Sequence, residues 1–151
     1  MATGFGVIAG GRAGITVLDA GVIATRAGQP LDARIHEIYE GVLKLLDAHA
    51  PALLVLEDLY AEYMFPRTAL QMAHARGVIC LAARQRGVPL LALAPGEVKR
   101  AITGNGAASK EQVQRSVQRL LSLAGPPRPS HVADALALAF TGFSRAGGRP
   151  G

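Results

Sequence analysis

Apolar residues recur along this chain at two periods, and the switches between them set out its elements. Residues 3–9 and 14–25 flank the turn Gly10-Gly11-Arg12-Ala13 and predict two strands joined as a hairpin. Leu31, Ile35, Ile38, Val42 and Leu45 follow the helical period and predict a helix over 31–48, stopped near Pro51. Leu53-Leu54-Val55-Leu56-Glu57 is too short and too uniformly aliphatic for a helix, which predicts a strand covered on both faces. Residues 67–86 predict an Ala-rich helix interrupted by Gly77. A mid-helix glycine costs about 1 kcal/mol against alanine, so close backbone packing is expected at Gly77. Residues 89–93 predict another short buried strand, followed by a short helix around 96–102.

The loop Thr103-Gly104-Asn105-Gly106-Ala107-Ala108 comes next, and Ser109-Lys110-Glu111-Gln112 has the spacing of a capping box. It opens a helix through Leu123 whose apolar stripe is Val113, Val117, Leu120 and Leu121. Gly125-Pro126-Pro127-Arg128-Pro129 is a stiff break, after which Ser130 is placed to cap a last helix from His131 to about Phe143. Residues 144–151 are Gly, Pro and Arg rich and are expected to be a disordered tail. Strands first, then alternating helix and strand, predict one α/β domain over 1–143 with a mixed sheet.

Composition narrows the class. The chain has 151 residues, half of them hydrophobic, which is enough for a single core. No apolar run approaches the roughly 18 residues of a membrane span, and the N-terminus lacks the pattern of a secretory signal. Cys80 is alone, so neither a disulfide framework nor a cysteine zinc site is available, as expected in a reducing cytoplasm. Charge is divided unevenly. Residues 1–75 carry five basic and eight acidic side chains, a net of −3, whereas residues 76–151 carry eleven and three, a net of +8. The basic half fits either approach to a polyanion such as nucleic acid or an ordinary solvated surface.

Glu57 ends an aliphatic strand, where open α/β sheets place their sites, and His131 and Asp134 share one face at the start of an apolar helix. Taken singly, Glu57 fits a solvent-reaching strand end and Asp134 a helix-dipole partner. Taken together, two carboxylates and an imidazole suit a hard divalent cation such as Mg²⁺ or Mn²⁺.

These residues sit within longer segments. They are Val55-Leu56-Glu57-Asp58-Leu59-Tyr60, Ala73-His74-Ala75-Arg76-Gly77-Val78 and Pro95-Gly96-Glu97-Val98-Lys99-Arg100, followed by residues 104–113 and 129–137. With Thr3-Gly4-Phe5-Gly6-Val7-Ile8 before them, they make the chain resemble the RuvC-type Holliday junction resolvases over most of its length. The resemblance implies a ribonuclease H-like fold, a mixed five-stranded sheet flanked by helices. It also implies an endonuclease of recombination and repair that resolves four-way junctions by paired symmetric nicks. By resemblance Glu57, His131 and Asp134 hold the metal, two ions per site in the intact family, and Lys110 and Lys99 stand near the scissile strand. Tyr60 is suited to the junction centre, and Arg76 and Arg100 to backbone phosphates, with Arg115 and Arg119 equally suited to a solvated face. A homodimer, a branch-migration complex as partner and a cytoplasmic location are further implications.

One part of the pattern is missing. The family begins with a strand ending in Asp-Pro-Gly about ten residues ahead of the Thr-Gly-x-Gly-Val strand, and here Met1 stands two residues before Thr3. Asp19 lies at the far end of the hairpin and does not replace it. The expectations are a sheet without its central first strand and little or no cleavage by the chain as written. A displaced start codon is the favoured explanation, ahead of a decaying gene. The functional alternative is a junction-binding module that does not cut.

Overall fold

The structure is a computed structural model that describes residues 2–58 and 66–147. Two strands, β1 (Ala2–Gly11) and β2 (Gly14–Ala24), form an antiparallel hairpin with an irregularity at Val7/Ile8. Helix α1 (Leu31–His49) leads to β3 (Leu54–Glu57), α2 (Pro66–Gln85) to β4 (Leu90–Leu93), and β3 and β4 pair in parallel. Helices α3 (Pro95–Thr103), α4 (Lys110–Leu120) and α5 (Ser130–Arg145) complete the chain.

The mixed α/β class holds, and a five-stranded sheet is not seen among the described residues. Among the described residues there are four strands in two separate two-stranded sheets, and no ladder joins β1 to β3. The connection is made by α5. Beta-carbons built at Gly4, Gly6 and Gly10 would fall 2.2 Å from the His131 carbonyl oxygen, 2.6 Å from Leu136 and 2.1 Å from Phe143. The order of these contacts shows that α5 runs along β1 in the same direction. Glycine at three alternate positions of the strand permits so close an approach, while Ile8 between them packs into the core. At the other end, Gly142 lets α5 meet Val55 of β3.

The core divides into two layers. Leu54 packs with Ile38, Val42, Leu46, Ala75 and Ala82 of α1 and α2. The next residue, Val55, packs with Leu93, Val117, Leu136 and their neighbours from α3, α4 and α5. Successive strand side chains point to opposite faces, so β3 is covered on both sides as its aliphatic run predicts.

Several boundaries differ from expectation for local reasons. The Ser109 capping box forms, with the Gln112 amide nitrogen donating to Ser109 Oγ and the Ser109 amide to Gln112 Oε1. The helix it opens stops at Leu120 rather than Leu123, because Ser122 takes a positive φ of 52°. Ser130 does not cap α5 but begins it, with Pro129 at the cap position. Helix α5 continues through Arg145, whose guanidinium pairs with Glu97, so the expected tail does not start at 144. Gly77 is exposed and a beta-carbon there would meet nothing within 4 Å, which corrects the expectation of close packing.

Gly77→Ala is therefore expected to stabilise the protein by about 0.5–1 kcal/mol through helix propensity alone. Gly142→Ala would place a methyl group 2.3 Å from Val55 Cγ2. Its overpacking should cost about 1–3 kcal/mol. Urea unfolding midpoints at constant m-value check both, with the two shifts opposite in sign.

Candidate active site

The strand end that carries Glu57 is fixed by two neighbours, Leu93 and Arg76. The Asp58 amide donates to the Leu93 carbonyl at 2.8 Å, extending the β3–β4 pairing by one bond. Arg76, from the middle of α2, donates through Nη1 to the Glu57 carbonyl oxygen at 2.8 Å. Its Nη2 stands 3.6 Å from Asp58 Oδ1. Arg76 is thus turned inward onto the strand end. No sequence signal marked this contact, because the bond is to a backbone atom 19 residues away.

Glu57 itself is half-buried, and its carboxyl is pushed above the ordinary range. Burial is the larger cause and the Asp134 carboxylate the second, while the Lys99 ammonium acts in the opposite direction. The structure therefore brings together Glu57 at the end of β3, Asp134 in the second turn of α5 and Lys99 of α3. Helix α3 reaches this place because it starts at Pro95, two residues after β4 ends. His131 lies in the first turn of α5, three residues before Asp134, with its carbonyl against Gly4 and the residue exposed.

Among the described residues no three His, Cys, Asp or Glu side chains form a ready-made metal group, so His131 does not join Glu57 and Asp134 in a closed triad. The chemistry of the pair nevertheless fits a hard divalent ion. The half-buried Glu57 carboxylate, whose ionisation burial and the Asp134 charge oppose, is relieved by a cation, which supplies the charge that Lys99 only partly provides.

The other sequence candidates are dispersed. Lys110 is exposed at the first position of α4. Arg100 lies over the loop after α3, its Nη2 3.2 Å from where a Gly106 beta-carbon would be. Tyr60 falls outside the described residues. Asp19 bonds to His49 of α1 at 3.0 Å, in keeping with its exclusion from the site.

Two measurements follow from this geometry. The folded-state pKa of Glu57 lies above its unfolded value, so the folded chain holds the extra proton and stability falls as pH rises from the ordinary carboxylate range through the raised value. Glu57→Gln should therefore be more stable than wild type at neutral pH without metal, and equal to it below the ordinary carboxylate range. Added Mg²⁺ should stabilise the wild type at neutral pH and leave the variant unmoved. For Arg76, removal should act on the strand end and not on DNA affinity. Arg76→Ala should lower kcat with junction affinity and its salt dependence unchanged, and Arg76→Lys should recover part of the rate. A salt slope reduced by about one unit would instead mark a phosphate contact.

Comparison with known proteins gives this arrangement a family. The family model for crossover junction endodeoxyribonuclease RuvC matches residues 1–142. The crossover junction endodeoxyribonuclease RuvC of Rhodopirellula baltica is 44% identical over 140 residues, covering 93% of this chain and 79% of that protein. Its counterpart from Rhodococcus opacus is 43% identical over 138 residues, covering 91% and 72%. The solved structure of T. thermophilus RuvC in complex with Holliday junction substrate superposes with a TM-score of 0.84 at 33% identity, over 98% of this chain and 90% of that one. None of these matches supports reading the chain as a non-cutting relative. With a family model spanning nearly its whole length and a shared ribonuclease H-like fold, the chain belongs to the RuvC family of crossover junction endodeoxyribonucleases.

Proposed function

We propose that this protein is a divalent-metal-dependent endonuclease that resolves Holliday junctions by paired symmetric nicks during recombination and repair. The observation that carries this reading is the half-buried Glu57 carboxyl, raised by burial and by Asp134, in a chain of the RuvC family. Glu57 and Asp134 hold the metal, with His131 closing on it from three residues before Asp134 on α5. Mg²⁺, or Mn²⁺ in its place, is the ion these oxygen donors suit, two per site by family resemblance. When bound, such ions activate water and stabilise the leaving oxygen of an in-line displacement at phosphorus.

The chain's own residues supply position and charge. Arg76 holds the strand end so that the Glu57 carboxylate is presented without rearrangement. Lys99 offsets the charge of the acidic pair. Lys110, at the amino end of α4 where the helix dipole adds to its charge, faces the charge that develops on the phosphate. Arg100 contacts backbone phosphate, and Tyr60 the junction centre.

The protein acts in the cytoplasm beside a branch-migration complex, as a homodimer, since opposed symmetric cuts call for two sites related by a two-fold axis. Exposed Leu70 and Leu81 of α2 flank exposed Gly77 along one stripe, a surface suited to a second copy. No helix among the described residues is long and apolar enough to cross a membrane. The five-stranded form of the sheet belongs to this proposal as well. Among the described residues β1 pairs only with β2 and β3 only with β4, and α5 covers both pairs, which leaves two edges that one further strand would join.

The test is cleavage of a synthetic four-way junction by the purified chain with Mg²⁺ or Mn²⁺. Symmetric paired nicks are expected, with Glu57→Gln reducing the rate by about 10²–10³-fold, as removal of a preorganised charge-stabilising group does, while junction binding persists. Binding by the wild-type chain with no cleavage under either metal would overturn the reading.

A further inference from the structure

The loop after α3 and one flank of α4 enclose a shallow pocket of about 250 Å³, lined by Thr103, Asn105, Gln112, Arg115, Ser116 and Arg119. No carboxylate lines it. Among the described residues neither Arg115 nor Arg119 has an ion-pair partner. The neutral groups are biased the same way. The Ala107 amide donates to Asn105 Oδ1 at 2.9 Å and the Ser109 amide to Gln112 Oε1 at 2.8 Å. A backbone N–H can only donate, so these bonds fix which end of each side-chain amide is oxygen. Both oxygens are thereby used, and the Asn105 Nδ2 and Gln112 Nε2 groups are left as donors beside two guanidinium forks. A pocket that offers N–H donors and positive charge, with its amide oxygens occupied, is a receptor for an oxyanion.

Its place on α4 separates it from the site at Glu57. Lys110 and Arg119 are nine residues apart, about half a turn out of phase at 3.6 residues per turn and about 13.5 Å along the axis. Val113, Ser116 and Val117 are buried against the core. Lys110 and the arginine pair therefore stand on opposite flanks of the helix, and one strand lying at Lys110 does not also fill the pocket without crossing α4.

We propose that this pocket is a second phosphate-binding site, which takes a backbone phosphodiester of a junction arm other than the strand held at Glu57. Asn105 and Gln112 orient the phosphate oxygens, and Arg115 and Arg119 supply the charge. The site rests on the junction-binding reading given above, and its contribution is to fix the angle between arms without reading sequence.

The double variant Arg115→Gln/Arg119→Gln tests it, with melting temperature as the folding control, since both residues are exposed. Junction affinity is measured by fluorescence anisotropy between 50 and 200 mM KCl. The expected result is a salt slope lower by about two units and an affinity about 10–100-fold weaker at 0.1 M salt, because each lost phosphate contact removes about 0.9 from the slope. Arg12→Gln/Arg84→Gln removes the same charge from exposed positions elsewhere, and its slope should match wild type. An equal fall in both double variants would mean diffuse attraction and would overturn the site. So would an unchanged slope in the Arg115/Arg119 variant, even if inorganic phosphate shifts the Arg115 and Arg119 Nε–Hε resonances, since that would assign the pocket to free phosphate. A wild-type chain that binds no junction would overturn the functional reading together with this one, whereas normal binding with an unchanged slope would overturn this one alone.

Discussion

Everything in this molecule depends on the contact between α5 and the glycine face of β1. The described residues hold two small sheets with no ladder between them, and a pair of strands is at best marginally stable alone. What unites them is a helix lying directly on backbone at Gly4, Gly6 and Gly10 and reaching across to Val55 through its own Gly142. Dispersion falls off steeply with separation, so contact this close gives α5 a defined height and direction relative to both sheets. Asp134 sits in its second turn, and its distance from Glu57 is inherited from that seating.

The acidic pair is the counterpart of this rigidity. Burial and mutual repulsion make ionisation of Glu57 unfavourable, and the protein does not remove that tension with a full internal ion pair. Lys99 offsets part of it, while the Arg76 guanidinium is spent on the Glu57 carbonyl and on Asp58. The backbone is thus anchored while the carboxylate keeps a need for positive charge. A site held in this way favours an incoming cation over a proton as pH rises.

Much of this was legible in the chain. Hairpin, helices and the parallel pair follow from period-2 and period-3.6 patterning, and Leu54 and Val55 pack to opposite faces as a uniformly aliphatic strand predicts. The strand-end Glu57 and Asp134, near the start of the last helix, were also visible from position alone. The rest depended on three-dimensional neighbours. Gly77 reads as a packing glycine but is open, whereas the alternate glycines of β1, whose spacing does signal close approach, are the ones against the helix. Arg76 looks like any basic residue of a DNA-binding half until its partner is known to be a carbonyl. Nor does local chemistry decide that Ser130 begins α5 instead of capping it.

The β1–α5 contact also sets the order in which the protein can be made. Gly4 meets His131, and Glu57 feels Asp134, so the hairpin must wait for a partner translated near the end of the chain. At roughly 5–20 residues per second, that wait on the ribosome is roughly 6–25 s. During it the edges of β1 and β3 and the apolar surface meant for α5 are exposed to the cellular milieu. The glycines that make the finished site rigid thus leave the nascent chain without a lid, and they make it a candidate for chaperone protection until its last helix emerges.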